Sequence, residues 1–257
     1  MKIYLGTVVY RQVEAAYHQS VMLFMRECAK RGIEVTDGMV KGDALVSRSR
    51  SLVASHFLRS DCDVLLTIDS DIWFRAEDAI QLAEEALEYK AIGAMYMTRS
   101  IATQPAMMLP PEGVIFAANG KITEVPFIST GFMAVHRSVF EELTSSLPKC
   151  HQNWNDELTG MSLSFWPFYM PYCIPFEGDG YIYLSEDWAF CQRAKDAGYP
   201  MYIDPTIRLG HIGEVMYTLE DLIREPKPRP QPLILKRQLD GTLETYKINE
   251  VVPTTSG

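Results

Sequence analysis

The sequence has no apolar run long enough to cross a bilayer, so a membrane span is not expected. It also lacks positive charge. With 24 Lys and Arg against 33 Asp and Glu, the formal net charge is −9 at pH 7. That argues against holding nucleic acid by bulk electrostatics, while leaving room for a local basic groove. Cysteine is sparse: Cys28, Cys62, Cys150, Cys173 and Cys191 are scattered, odd in number and without metal-type spacing. This pattern reads as buried thiols in a reducing compartment, hence a cytoplasmic protein. The opening MKIYLGTVVY is too short an apolar stretch for a signal peptide and has no small-residue cleavage site. No internal repeat is visible.

What is present is the composition of a soluble globular enzyme, 47% hydrophobic and 22% charged over 257 residues. That length suits one large α/β domain or two small ones. The organising stretch is Val64–Phe74, VLLTIDSDIWF. Val64 to Ile68 form a short apolar and β-branched run, expected as a strand buried on both faces. The run stops at Asp69-Ser70-Asp71. In an extended chain the side chains at i and i+2 point the same way, so the two carboxylates can converge on one object. Like charges side by side need compensation, and a hard divalent ion, Mg²⁺ or Mn²⁺, carrying substrate phosphates would supply it. An Asp-rich turn after a strand is the plainer alternative.

Other segments alternate around this one. Lys2–Tyr10 reads as a first strand, and Val13–Arg31 as a helix stopped by Gly32. Ile33–Val40 reads as a second strand. Asp43 can cap a helix from Ala44 to Leu58 that carries Arg48 and Arg50. A helix over Ala76–Tyr89 and a fourth strand over Ala91–Met97 complete a β-α-β-α-β-α-β order, which predicts a mainly parallel, doubly wound sheet.

After Met97 the pattern shortens. Segments near Ala106–Leu109, Val114–Ala117 and Ile122–Pro126, with Asn119-Gly120 as a turn, suggest an antiparallel insert. Gly131–His136 reads as a strand and Ser138–Ser146 as a helix. Residues 147–182 form a long Pro-, Gly- and aromatic-rich stretch, and its aromatics argue against disorder. Most of them suit packing under a loop, while Trp154 or Trp166 are candidates to touch an acceptor. Ser185 can cap a helix Glu186–Ala197 ended by Gly198, followed by a strand Met201–Asp204. EPKPRPQP is an extended linker, and Leu233–Ile248 suits one hairpin.

Four stretches carry a resemblance: LVSRSRSLVASHFL (Leu45–Leu58), LLTIDSDIWF (Leu65–Phe74), STGFMAVHRSVFEEL (Ser129–Leu143) and SEDWAFCQRAKDAGYPMYIDPTIRLGHIG (Ser185–Gly213). In order and character they resemble the GT-A class of nucleotide-sugar glycosyltransferases, particularly small bacterial and phage-type, family 2-like members with an Asp-x-Asp motif. The resemblance covers roughly residues 2–215. It implies an α/β, Rossmann-like GT-A fold, with a nucleotide-binding half over 1–97 and an acceptor and metal half over 98–225. Residues 226–257 lie outside it as a tail or hairpin. It further implies a donor bound through a Mn²⁺- or Mg²⁺-bridged diphosphate, most simply a UDP-sugar, and transfer to an acceptor hydroxyl on a glycan, a protein or a hydroxylated DNA base.

Under that resemblance Asp71 is the first choice of metal ligand. Asp69 contacts the ribose, the metal or a metal-bound water, and His211 closes the metal site from the C-terminal side. A turn histidine between Gly210 and Gly213 is the plainer reading of His211. Arg48 and Arg50 both suit a diphosphate. They point roughly 200° apart on an ideal helix, so one of them is expected to reach it, with Arg48 favoured. Thr7, Val8, Val9 and Tyr10 would hold the nucleobase and ribose. The Thr130-Gly131 step would let backbone approach the donor sugar. Glu186 and Asp187 match the acidic pair that faces the acceptor, and Asp187 is favoured as the base with Glu186 as alternate. Acidic residues also decorate the first turn of ordinary helices.

Two rivals come from other classes. A Mg²⁺-dependent nucleotidyltransferase also uses strand-end carboxylates, but it would be expected to show a Gly-rich basic phosphate loop, and Gly6-Thr7-Val8-Val9 is a poor one. A non-catalytic nucleotide-sugar binding module would bind without transfer. An oligomer is compatible with the sequence.

Overall fold

The computed structural model describes residues 1–99, 105–116, 118–155, 162–176, 178–213, 233–237 and 243–247. Its centre is a seven-stranded sheet built from β1 (Lys2–Val9), β2 (Glu34–Lys41), β3 (Val64–Ile68), β4 (Ala91–Gly93), β5 (Thr123–Val125), β6 (Phe132–His136) and β7 (Met201–Ile203). The spatial order is β2-β1-β3-β6-β4-β7-β5. Strands β1, β2, β3, β4 and β7 run one way, while β6 and β5 run against their neighbours. The fold class is therefore α/β with a mostly parallel central sheet.

Helices cover both faces. On one side α1 (Ala15–Arg31) and α3 (Ala76–Tyr89) pack around Phe24, Phe74 and Ile80. On the other α2 (Val46–Arg59), α4 (Arg137–Thr144) and α5 (Glu186–Asp196) pack around Phe57, Phe140 and Phe190. The alternation along β3 explains the two layers: Val64 and Leu66 face the first cluster, and Leu65 faces the second. All five β3 residues are buried. Burial of each aliphatic among them contributes about 1.5–3 kcal/mol relative to exposure.

Several sequence expectations need correction. The fourth strand ends at Gly93 rather than Met97; beyond it an isolated bridge joins Met97 to Pro105. The three short segments after Met97 do not form one insert. Met107–Met108 pairs with Phe127–Ile128, Val114–Phe116 pairs with Leu233–Arg237, and β5 joins the edge of the main sheet. Strand β6 inserts antiparallel between β3 and β4, which periodicity cannot reveal. Asp43 does not cap α2. Leu45 holds the N-cap position, and Asp43 instead accepts from the Leu45 N–H at 2.9 Å and grips Arg48. The aromatic stretch contains two short hairpins, Cys150–Asn155 with Ser162–Phe165 and Tyr172–Pro175 with Tyr181–Leu184. Phe168 and Tyr169 are fully buried core. The C-terminal hairpin expected over Leu233–Ile248 is Leu233–Arg237 with Leu243–Lys247. The EPKPRPQP segment lies outside the described residues. No helix among the described residues is long and apolar enough to cross a membrane.

Candidate functional site

The C-terminal ends of β1 and β3 open into a cleft of about 290 Å³, lined by Val8, Val9, Tyr10, Arg50, Asp69, Asp71 and Arg99 among others. Open parallel sheets expose ligand sites at this edge. The chain turns sharply as β3 ends. The Asp69 N–H donates to the Gly131 carbonyl at 3.0 Å, and the Ile72 N–H returns to the Asp69 carbonyl at 3.1 Å. Asp69 and Asp71 therefore share the cleft without being extended-chain neighbours, and each carboxylate has its own partners.

Asp69 is held by Arg50. Arg50 Nη1 donates to Oδ1 at 2.8 Å and Nη2 to Oδ2 at 3.0 Å, a two-pronged contact. Arg50 Nε lies 3.7 Å from a Glu186 carboxylate oxygen. Burial alone would lower the Arg50 pKa, but the Asp69 carboxylate outweighs it and the net shift is upward. This guanidinium stays charged. Arg48, the residue favoured from the sequence, is instead drawn to Asp43, Nε to Oδ2 at 2.6 Å. The reason is angular: on α2 only one of the two arginines can face the end of β3.

Asp71 meets His211 and Arg99. The pair Ile72–Trp73 runs antiparallel to Gly210–His211, and the Ile212 N–H donates to the Asp71 carbonyl at 2.8 Å. Backbone pairing thus carries His211 to Asp71 across 140 residues of sequence. His211 Nδ1–H donates to the Met97 carbonyl at 2.8 Å, so Nε2 faces Asp71 Oδ1 at 3.5 Å. Among the described residues, Asp71 Oδ1 is buried and lacks a hydrogen-bond partner. In neutral His211 the Nε2 atom is an acceptor, and two acceptors in opposition need a cation or a proton between them. Burial pulls the His211 pKa down, but the facing Asp71 carboxylate and the Met97 carbonyl prevail and the net shift is upward. Asp71 moves the other way: burial raises it, His211 and Arg99 outweigh that, and its pKa is lowered.

These two side chains fit a divalent ion that draws its remaining ligands from phosphate and water, the habit of Mg²⁺ and Mn²⁺. Among the described residues no group of three or more His, Cys, Asp and Glu side chains is arranged to hold a metal by itself.

At the start of α5 the acidic pair divides. Asp187 accepts from the Ser129 hydroxyl at 3.0 Å, the Trp188 N–H at 2.8 Å and the Ser185 hydroxyl. Ser185 occupies the N-cap position, yet its hydroxyl serves Asp187 rather than the helix backbone. Asp187 is thereby fastened. Glu186 faces Arg50, and burial followed by the neighbouring Asp187 raises its pKa despite Arg50.

The remaining expected positions separate. Val8, Val9 and Tyr10 line the cleft. Thr7 does not: its hydroxyl lies 2.5 Å from the Tyr17 hydroxyl, on the α1 face of the sheet, beside a mainly apolar cavity of about 470 Å³. Thr130 is buried with its hydroxyl unpartnered, and its carbonyl accepts from the Thr67 hydroxyl at 2.9 Å. A Cβ at Gly131 would come within 2.3 Å of the Tyr96 hydroxyl and 3.0 Å of Asp69 Oδ2, so the glycine makes room for both. Trp166 packs on the core, with Lys149 over its ring at 4.9 Å. The Trp154 side chain falls outside the described residues. Tyr96, Arg99 and Ser129 were missed from the sequence, because each acts through a contact distant in sequence and none sits in a recognisable pattern.

No protein-family model matches the chain, and no curated protein matches it. Solved structures similar to it include the catalytic domain of Drosophila β1,4-galactosyltransferase 7 in complex with xylobiose, at 13% identity, covering 95% of this chain and 92% of that one, with a TM-score of 0.45. GalNAc-T7 with UDP, GalNAc and Mn²⁺ is 12% identical, with 85% of this chain and 44% of that one covered and a TM-score of 0.45. TarS of S. aureus in complex with UDP-GlcNAc is 10% identical, with 80% and 57% covered and a TM-score of 0.44.

Proposed function

We propose that this protein is a divalent-metal-dependent glycosyltransferase that moves a sugar from a nucleoside-diphosphate sugar, most simply a UDP-sugar, to an acceptor hydroxyl. One observation carries the reading: backbone pairing sets His211 Nε2 against the buried, unpartnered Asp71 Oδ1 at the open end of the central sheet. When bound there, Mn²⁺ or Mg²⁺ neutralises charge on the departing nucleoside diphosphate.

The chain's own groups supply the rest. Val8, Val9 and Tyr10 form the nucleoside wall of the cleft. Arg50 orients Asp69 toward the same space and stays in place because it is buried and doubly bonded. Glu186 is the acceptor-side base. Its raised pKa makes it a better proton acceptor than an ordinary glutamate, and in an inverting transfer it takes the proton of the attacking hydroxyl. Asp187, preferred on sequence grounds, is committed to three donors and positions the start of α5. The net charge of −9 favours a glycan or protein acceptor over duplex DNA.

The test is a thermal-shift panel of UDP-, GDP-, dTDP- and CMP-linked sugars with Mn²⁺, Mg²⁺ or EDTA. A ligand at 100 times its Kd stabilises the folded state by about 2.7 kcal/mol. One nucleotide is expected to raise the melting temperature only with metal, and Asp71→Asn to abolish that rise. A shift confined to free nucleoside triphosphates would replace this reading with nucleotidyl transfer.

A further inference from the structure

Asp71 has a second cation beside it. Arg99 Nη1 lies 2.9 Å from Asp71 Oδ2 and donates to the Ile212 carbonyl at 3.1 Å. The stem of Arg99 runs along Gly213, where a Cβ would approach its Cδ to 2.9 Å and its Cγ to 3.3 Å. The side chain is about half exposed, at 49%, and it lines the same cleft as Val9 and Arg50.

We propose that Arg99 is an exchangeable cation, seated on Asp71 until a metal–nucleotide complex arrives, and that its guanidinium then transfers to the nucleoside diphosphate. The inference rests on the reading that Asp71 holds a divalent ion. A guanidinium and a divalent ion on one carboxylate repel each other, so binding of the ion alone must work against Arg99. A diphosphate changes the balance, because its oxygens offer the displaced fork a new two-pronged partner. Metal and nucleotide then favour each other's binding, and by linkage the gain is equal in both directions.

The contrast with Arg50 supports this division. Arg50 is buried, spans two carboxylates and is built to stay. Among the described residues, Arg99 reaches one carboxylate and one carbonyl from a half-exposed position, and an ion pair of that kind is weakly held. Gly213 matters because a side chain there would crowd the stem of Arg99.

The experiment is titration of Mn²⁺, followed by its EPR signal, and of UDP, followed by calorimetry. Each is run with and without the other ligand, on wild type, Arg99→Gln, Arg99→Lys and Asp71→Asn, after checking that the melting temperatures agree. Arg99→Gln is expected to tighten Mn²⁺ alone by roughly fivefold and to weaken UDP in saturating Mn²⁺ by roughly fivefold, the upper scale of one half-exposed charge contact. Arg99→Lys, which keeps the charge, is expected to bind Mn²⁺ like wild type. Mn²⁺ binding within twofold of wild type in Arg99→Gln, with Asp71→Asn still deficient, overturns the exchange while sparing the metal site. Unchanged Mn²⁺ binding in Asp71→Asn overturns both.

Discussion

Arg50 grips Asp69 with both terminal nitrogens, at 2.8 and 3.0 Å, and turns its Nε toward Glu186 at 3.7 Å. One buried guanidinium therefore joins α2, the end of β3 and the start of α5. Replacing it leaves two carboxylates facing each other without compensation. Arg50→Met is expected to destabilise the fold by about 3–5 kcal/mol in urea unfolding, with a smaller loss for Arg50→Lys. Stability of Arg50→Met within 1 kcal/mol of wild type would show that the clamp is not structural (1 kcal/mol being roughly the scale of a surface pair).

The two acidic residues of α5 predict different phenotypes. Glu186→Gln is expected to retain metal-dependent donor binding and to lose roughly a hundredfold or more in transfer rate. Because burial raises the Glu186 pKa, the acidic limb of the wild-type rate profile should lie above the ordinary glutamate range. The rate falls as pH drops through it, and Glu186→Gln removes the limb. Asp187→Asn disturbs the bonds to Ser129 and Ser185 and should cost about 1 kcal/mol of stability, read as a lower melting temperature. A loss of transfer confined to Asp187→Asn would exchange the two roles.

Gly131→Ala places a methyl group 2.3 Å from the Tyr96 hydroxyl. Tyr96 is buried, so the strain has no easy outlet. The variant is expected to lose about 1–3 kcal/mol, and Tyr96→Phe in the same chain should restore part of it. A double-mutant cycle by thermal unfolding checks the coupling, and additivity would remove this account of the glycine.

Away from the cleft, the Gln81 amide donates to Glu85 at 3.0 Å and to Asp204 at 2.6 Å. Burial, and then Asp204, pushes the Glu85 carboxyl up from 4.5 to about 7. The folded state thus binds a proton that the unfolded state releases between those values. Stability contributed by neutral Glu85 is present below about 4.5 and is lost as pH rises through about 7. Glu85→Gln is expected to be about 2 kcal/mol more stable than wild type at pH 8 and equal to it at pH 4.5. An equal gain at both pH values would point to packing instead of charge.

The sequence by itself determined the strand–helix order through β4, because hydrophobic period and helix stops are local. Gly32 illustrates this, ending α1 in the left-handed conformation at φ 68°. It also singled out Asp69 and Asp71 as candidates, since an abrupt charge after a buried strand is visible in one dimension, while Asp187, Glu186 and His211 entered as candidates through the resemblance. Tertiary structure alone decided the partners. Whether Arg48 or Arg50 faces Asp69 depends on the rotation of α2 against the sheet. The side to which Thr7 points depends on which face of β1 receives α1. The pairing of His211 with Asp71 requires a two-residue ladder between Ile72–Trp73 and Gly210–His211, too short to leave a periodic trace. The antiparallel β6 follows the same logic: an isolated strand has no direction until its hydrogen-bonding neighbours are known, and those neighbours come from segments distant in sequence.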